Sequence, residues 1–124
     1  MKTVLAIVDS QTMPHLLLRS LRDHYELTVC TTAEEGAAAL MRRPDALILD
    51  LFLTGCDTLK FLEDHAHDLP TVVICLTYVL SRSVVEATAQ QDVDCLIRMP
   101  CTGREIARQL DNLLHKKDPS LSGG

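Results

Sequence analysis

The sequence predicts one doubly wound α/β domain, with five short parallel strands and helices on both faces of the sheet. Three observations carry that prediction. Five short apolar runs recur along 124 residues, alternating with helix-patterned segments. Most of the runs are apolar on both faces, as a sheet covered on both sides requires. The intervening segments carry helix-start signals. Strand and helix alternating five times implies a parallel sheet, and right-handed crossovers leave few topologies open. The flavodoxin-like order 2-1-3-4-5 is the small version of this architecture.

Thr3 to Val8 is the first run, ending at Asp9-Ser10. Helix one is expected from Thr12 to His24, with Pro14 in its first turn, where a missing N–H costs nothing. Leu16, Leu17 and Leu18 read as its packing residues. Strand two, Leu27 to Thr31, is weaker, with Leu27 and Val29 on one face. Thr32-Ala33-Glu34-Glu35 is a capping box that opens helix two, to about Arg42. Ala46 to Leu49 is strand three and delivers Asp50 at its end. Asp57 can cap helix three, Thr58 to His65. Thr71 to Leu76 is strand four, ending at Thr77. Ser81 or Ser83 starts helix four, with Glu86 completing a box from Ser83. Cys95 to Met99 is strand five. Thr102-Gly103-Arg104-Glu105 opens helix five, whose apolar face is Ile106, Leu110, Leu113 and Leu114, to about His115. The domain is therefore expected over residues 1–115, with 116–124 a polar tail or the start of a linker.

Composition narrows the function. Hydrophobic residues make up 47%, enough for a core and too many for a disordered chain. Two Tyr, two Phe and no Trp leave few aromatic platforms for single-stranded nucleic acid. A net charge of −5, with only Lys116-Lys117 as a basic end, speaks against direct nucleic-acid binding. No apolar run approaches the roughly 20 residues that span a bilayer, and the start of the chain meets Asp9 too early for a signal peptide. Cys30, Cys56, Cys75, Cys95 and Cys101 form no C-x-x-C pair, an odd count that fits a reducing cytoplasm. His65-Ala66-His67 reads as a solvated helix end, and His115-Lys116-Lys117 as a basic helix terminus matching the dipole. No glycine-rich phosphate loop follows strand one, which disfavours a nucleotide or dinucleotide enzyme and a flavin site. Phe52, two residues after Asp50, cannot act as the general acid of an aspartate-based phosphatase.

In open α/β sheets ligands bind outside the C-terminal ends of the strands. Strands one, three and four are neighbours in the expected order, so Asp9, Asp50 and Thr77 converge. An aspartate ending a strand often only caps the next helix; three polar ends placed together are the stronger signal. Two carboxylates attract a hard cation such as Mg²⁺. An aspartate beside that cation and a hydroxyl can be the nucleophile in phosphoryl transfer.

These residues resemble the receiver domains of two-component response regulators, over about residues 2 to 115. The resemblance rests on Ile7-Val8-Asp9-Ser10, on Asp45-Ala46-Leu47-Ile48-Leu49-Asp50-Leu51 with the following Gly55 and Asp57, on Thr71 to Thr77, and on Arg98-Met99-Pro100. It implies a signalling domain, not an enzyme of metabolism. Asp50 would be the phosphoacceptor, Asp9, Asp50 and the Phe52 carbonyl the Mg²⁺ ligands, and Thr77 the phosphate-binding hydroxyl. It also implies a sensor histidine kinase or phosphotransfer protein as donor, and an output face near helices four and five. The chain departs from the pattern at the switch positions. Ser10 replaces a second acid, Met99 the expected lysine, and Leu96 the usual aromatic. Arg98, next to Met99, points to the opposite face by alternation. Thr54 stands where proline is common, and Tyr78 where a small residue is common, crowding the pocket. The metal site is thus expected to be weakened. Like charges without the lysine predict a raised pKa for Asp50 or Asp9 in the metal-free protein. The alternative is a pseudo-receiver, a phosphorylation-independent interaction module, for example a homodimer through helices four and five.

Overall fold

The computed structural model describes residues 1–9 and 13–117, apart from the side chains of Met13, Pro14 and Leu18. Ser10, the Thr12 start of helix one, the packing role of Leu18 and the tail from residue 118 lie outside the described residues. The elements run β1 Thr3–Ile7, α1 Met13–Leu21, β2 Glu26–Cys30, α2 Ala33–Leu40, β3 Ala46–Asp50, α3 Thr58–Asp64, β4 Val72–Thr77, α4 Arg82–Gln90, β5 Cys95–Arg98 and α5 Gly103–Lys117. All strands pair in parallel, in the expected order β2-β1-β3-β4-β5.

Alternation along the strands divides the interior in two. Val4, Ala6 and Val8, Ala46 and Ile48, and Val72, Ile74 and Leu76 point to the side covered by α1 and α5, against Leu17, Leu21, Ile106 and Leu110. Leu5 and Ile7, Leu47 and Leu49, and Val73 and Cys75 point the other way, against Leu40, Phe61 and Leu62. Each buried leucine or isoleucine contributes about 1.5–3 kcal/mol. An exposed i,i+4 ion pair such as Arg82–Glu86 is worth only about 0.3–0.5 kcal/mol. Apolar pattern, not surface charge, therefore sets the topology.

Helix ends follow local chemistry. Thr32, Asp57 and Ser81 cap α2, α3 and α4, each accepting the N–H three residues on. Ser81, not Ser83, starts α4, and Glu86 pairs with Arg82 instead of closing a box from Ser83. On α5 Thr102 accepts the Glu105 N–H at 3.1 Å, while the Glu105 carboxylate turns to Arg108. Helix one ends at Leu21, short of His24, because the Leu21 carbonyl accepts both the His24 and Tyr25 N–H groups as the chain turns. α2 ends at Leu40, short of Arg42, and Arg43 then takes a φ of 57°. α5 continues two residues past His115: Lys117 donates to the Thr71 carbonyl at 2.6 Å and pairs with Asp94. His65 lays its ring beside Phe61, with centroids 4.5 Å apart.

Two features not anticipated from the sequence fix the layers. Gly103 opens α5 hard against α1: a Cβ there would lie 2.9 Å from the Ser20 Cβ and 3.1 Å from the Leu16 carbonyl. Asp45 and Asp94 each stand just before a strand and bond one residue of the neighbouring strand through both backbone N–H and carboxylate. The Asp45 N–H donates to the Thr3 carbonyl at 2.9 Å, and its carboxylate accepts the Thr3 N–H at 2.8 Å. Asp94 does the same with Val73, at 2.9 and 2.8 Å. These two clamps hold the N-terminal ends of the strands in register, which aligns their C-terminal ends.

Candidate functional site

β3 carries Asp50 to the C-terminal end of the sheet, where it is only 4% exposed. Its register partner on β4 is Leu76, whose carbonyl accepts the Leu51 N–H at 2.9 Å. The chain then turns sharply. The Leu53 N–H returns to the Asp50 carbonyl at 3.2 Å, and the Phe52 N–H donates to Asp50 Oδ1 at 2.8 Å. The Thr58 hydroxyl pins the Leu51 carbonyl at 2.9 Å, tying the start of α3 to this turn. The Asp9 backbone N–H also donates to the Asp50 carboxylate, so β1 and β3 bring the two acids together as expected.

The Asp50 carboxyl is pushed above its ordinary value. Burial is the main cause; the Phe52 N–H opposes it, the Asp9 charge adds to it, and the Asp9 N–H opposes it. The direction is the expected one, but the leading cause differs. Repulsion between like charges is secondary to loss of solvent.

Thr77 is buried, at 1% exposure, one residue past the register partner of Asp50. Its hydroxyl does not reach for the acids. It donates to the Val79 carbonyl at 2.8 Å and accepts the Val79 N–H at 3.1 Å, closing a small turn after β4. Met99 donates its N–H to the Thr77 carbonyl at 2.6 Å. Its thioether packs into the core on the α1 and α5 side, where Cys101 Sγ lies 3.3 Å from its sulfur. The Met99–Pro100 bond is cis. Leu96 is partly buried against the opposite core, and Arg98 is exposed. Position 99 therefore contributes a buried thioether, and position 96 an aliphatic packing group.

The mouth of the site is apolar. Phe52 meets Tyr78 edge-on, with ring centroids 5.6 Å apart at 79°. Val79 and Leu80 follow, both about half-exposed. Sequence reading anticipated crowding by Tyr78 but not this pairing. The available signal was that two of the chain's few aromatics fall within two residues of strand ends. A concavity of about 480 Å³ lies at the opposite end of the strands, lined by Thr3, Glu26, Thr28, Arg42 and Pro44 among others. It gathers no set of reactive groups. No group of three or more His, Cys, Asp or Glu suited to a metal occurs among the described residues. The Asp9–Asp50 pair has two such side chains and depends on backbone oxygen or water for the rest of a shell.

Several solved structures share this architecture. Chemotaxis protein CheY4 of Vibrio cholerae superposes with a TM-score of 0.83 at 19% identity, over 91% of this chain and 98% of that one. A CheY-like response regulator receiver domain protein from Methanospirillum hungatei gives 0.81 at 20% identity, over 94% and 96%. A two-component response regulator from Clostridium difficile gives 0.87 at 12% identity, over 95% and 99%. No protein-family profile and no curated protein sequence matches the chain. The chain thus has the doubly wound fold of the response-regulator receiver domain. None of its described helices is long and apolar enough to cross a membrane.

Proposed function

We propose that the chain is a phosphorelay receiver in which Asp50 accepts a phosphoryl group from a histidine kinase or phosphotransfer protein. The observation that carries the reading is the Asp50 carboxylate itself, held in place by the Phe52 and Asp9 N–H groups at the strand end where this fold places ligands. A carboxylate made more basic by burial is a better nucleophile once ionised. In the transfer, an Asp50 oxygen forms the new O–P bond as the donor's N–P bond breaks. The Asp9 and Asp50 carboxylates, with the Phe52 carbonyl, would hold Mg²⁺, and that ion would neutralise charge on the phosphoryl oxygens. An all-oxygen donor set suits this hard cation, though with two carboxylates it binds weakly. Thr77 has a single hydroxyl proton, now given to Val79. To hold a phosphoryl oxygen it must release Val79, which would couple acceptance to the loop before α4.

One observation favours a second reading. Met99 sits inside the core and Leu96 packs as an aliphatic, so position 99 brings no lysine to the phosphoryl group and position 96 no aromatic to couple with Thr77. The chain would then be a pseudo-receiver whose interaction face works without phosphorylation, as a partner-binding or dimerising module through α4 and α5. Incubation with Mg²⁺ and acetyl phosphate or beryllofluoride, followed by intact-mass and fluorine NMR measurements, separates the two. The first reading expects uptake that Asp50→Asn abolishes. Absence of uptake, with an unchanged oligomer, selects the second.

A further inference from the structure

Around the mouth of the acidic site lie four large apolar side chains, each 48–52% exposed: Phe52 after β3, and Tyr78, Val79 and Leu80 after β4. Phe52 and Tyr78 touch edge-on, and residues 78–80 are consecutive, so the group is contiguous. Val85, 45% exposed, extends it along α4. Local structure explains part of this. Leu80 precedes the Ser81 cap and Val85 is the fourth residue of α4, the spacing of a hydrophobic staple. A staple gives no reason for Phe52, Tyr78 and Val79. Single exposed apolar residues are ordinary, but a contiguous group led by aromatics marks a contact surface.

The floor beneath this rim is anionic. The Phe52 N–H bonds Asp50 directly, and Asp9 lies beside it. Residue 99 sends a thioether into the core and brings no positive charge to that floor. The chain as a whole carries −5. Charge complementarity therefore selects the occupant. A second copy would bring the same anionic floor, and an anionic lipid surface would be repelled.

We propose that this rim and floor dock a protein partner presenting an apolar side chain with a lysine or arginine next to it, the cation directed toward Asp50 and Asp9. The proposal does not rest on phosphoryl transfer, since the carboxylates and the rim are present without it.

Selection of phage-displayed random 16-residue peptides on the immobilised full chain tests this, with enriched peptides synthesised and titrated by fluorescence polarisation. The expected peptides pair an aromatic or aliphatic residue with Lys or Arg. Their Kd weakens at least tenfold with the double change Tyr78→Ser and Leu80→Ser, and severalfold with Asp50→Asn. Met41→Ser, at an exposed apolar side chain on the end of α2, leaves Kd unchanged. Thermal melts confirm that each variant folds, and the rim and floor variants probe the surface by different chemistry, so either can serve alone. No enrichment, acidic or uncharged peptides, or binding indifferent to the rim and floor variants overturns the proposal. So does a micromolar dimer dissociated by Tyr78→Ser, or rim-dependent binding to phosphatidylglycerol vesicles.

Discussion

At the N-terminal ends of the strands Asp45 and Asp94 each precede a strand and bond a neighbouring strand through both backbone N–H and carboxylate, whereas at the C-terminal ends Asp50 closes β3 and Asp9 lies just past β1, beside it. Asp94 also receives the Lys117 ammonium. Asp50 receives two backbone N–H groups, but burial and the Asp9 charge still lift its pKa. One residue type on one sheet thus works in two ways. Where a partly exposed carboxylate draws its donors from a neighbouring strand it fastens strands; where it is buried beside a second acid its ionisation is opposed even with two N–H donors. The difference lies in the burial and the charges around each acid, not in the acid.

Replacing the acids at the two ends is expected to change stability with opposite signs. Asp94→Ala removes the acceptor for the Val73 N–H and the partner of Lys117, and is expected to cost about 2–3 kcal/mol, or roughly 10 °C in Tm. A melt lowered by less than about 3 °C would show the clamp to be dispensable. Asp45→Ala loses the Thr3 bonds without an ion pair, so about 1–2 kcal/mol is expected in urea unfolding. Asp50→Asn is expected to stabilise by about 1 kcal/mol at neutral pH in a chelator, because an uncharged amide keeps an acceptor for the Phe52 N–H and loses the buried charge. The sign follows from linkage. A carboxyl whose folded pKa is raised binds its proton more tightly when folded, so wild-type stability falls as pH rises from the ordinary aspartate value through the folded one. The advantage of Asp50→Asn therefore vanishes in acid and is complete above the folded pKa. An advantage that persists in acid would break the comparison. Thr77→Val is expected to have the smallest effect, about 0.5–1 kcal/mol, and to loosen residues 77–79 in amide hydrogen exchange without disturbing β4.

The strands, their order and the meeting of Asp9 with Asp50 were legible in the sequence because they depend on local pattern. Apolar runs give the strands, alternation gives their faces, and the polar residue ending each run gives the site. What escaped depends on partners distant along the chain. Asp45 bonds a residue 42 positions away and Asp94 one 21 positions away, so neither clamp leaves a local motif. Gly103 reads as part of a capping box, yet it also lets α5 approach α1, which shows only when Ser20 stands opposite. The loss of a lysine at position 99 is visible in the sequence, but the core position of the replacing thioether is a matter of packing. The Thr77 hydroxyl likewise chose the nearest backbone over the acids, a local competition that the strand pattern does not register.

α4 places only Thr88 fully in the interior, and that hydroxyl is satisfied by the Val84 and Val85 carbonyls of its own helix. α5, by contrast, sinks Gly103, Ile106, Leu110 and Leu114. Little apolar area therefore opposes lifting or rotating α4, while α5 is bolted to the sheet. The exposed Tyr78–Leu80 loop leads straight into the Ser81 cap of this lightly held helix. Anything that grips the loop has a lever whose far arm is α4, and a modest pull at one end can be read as a displacement at the other.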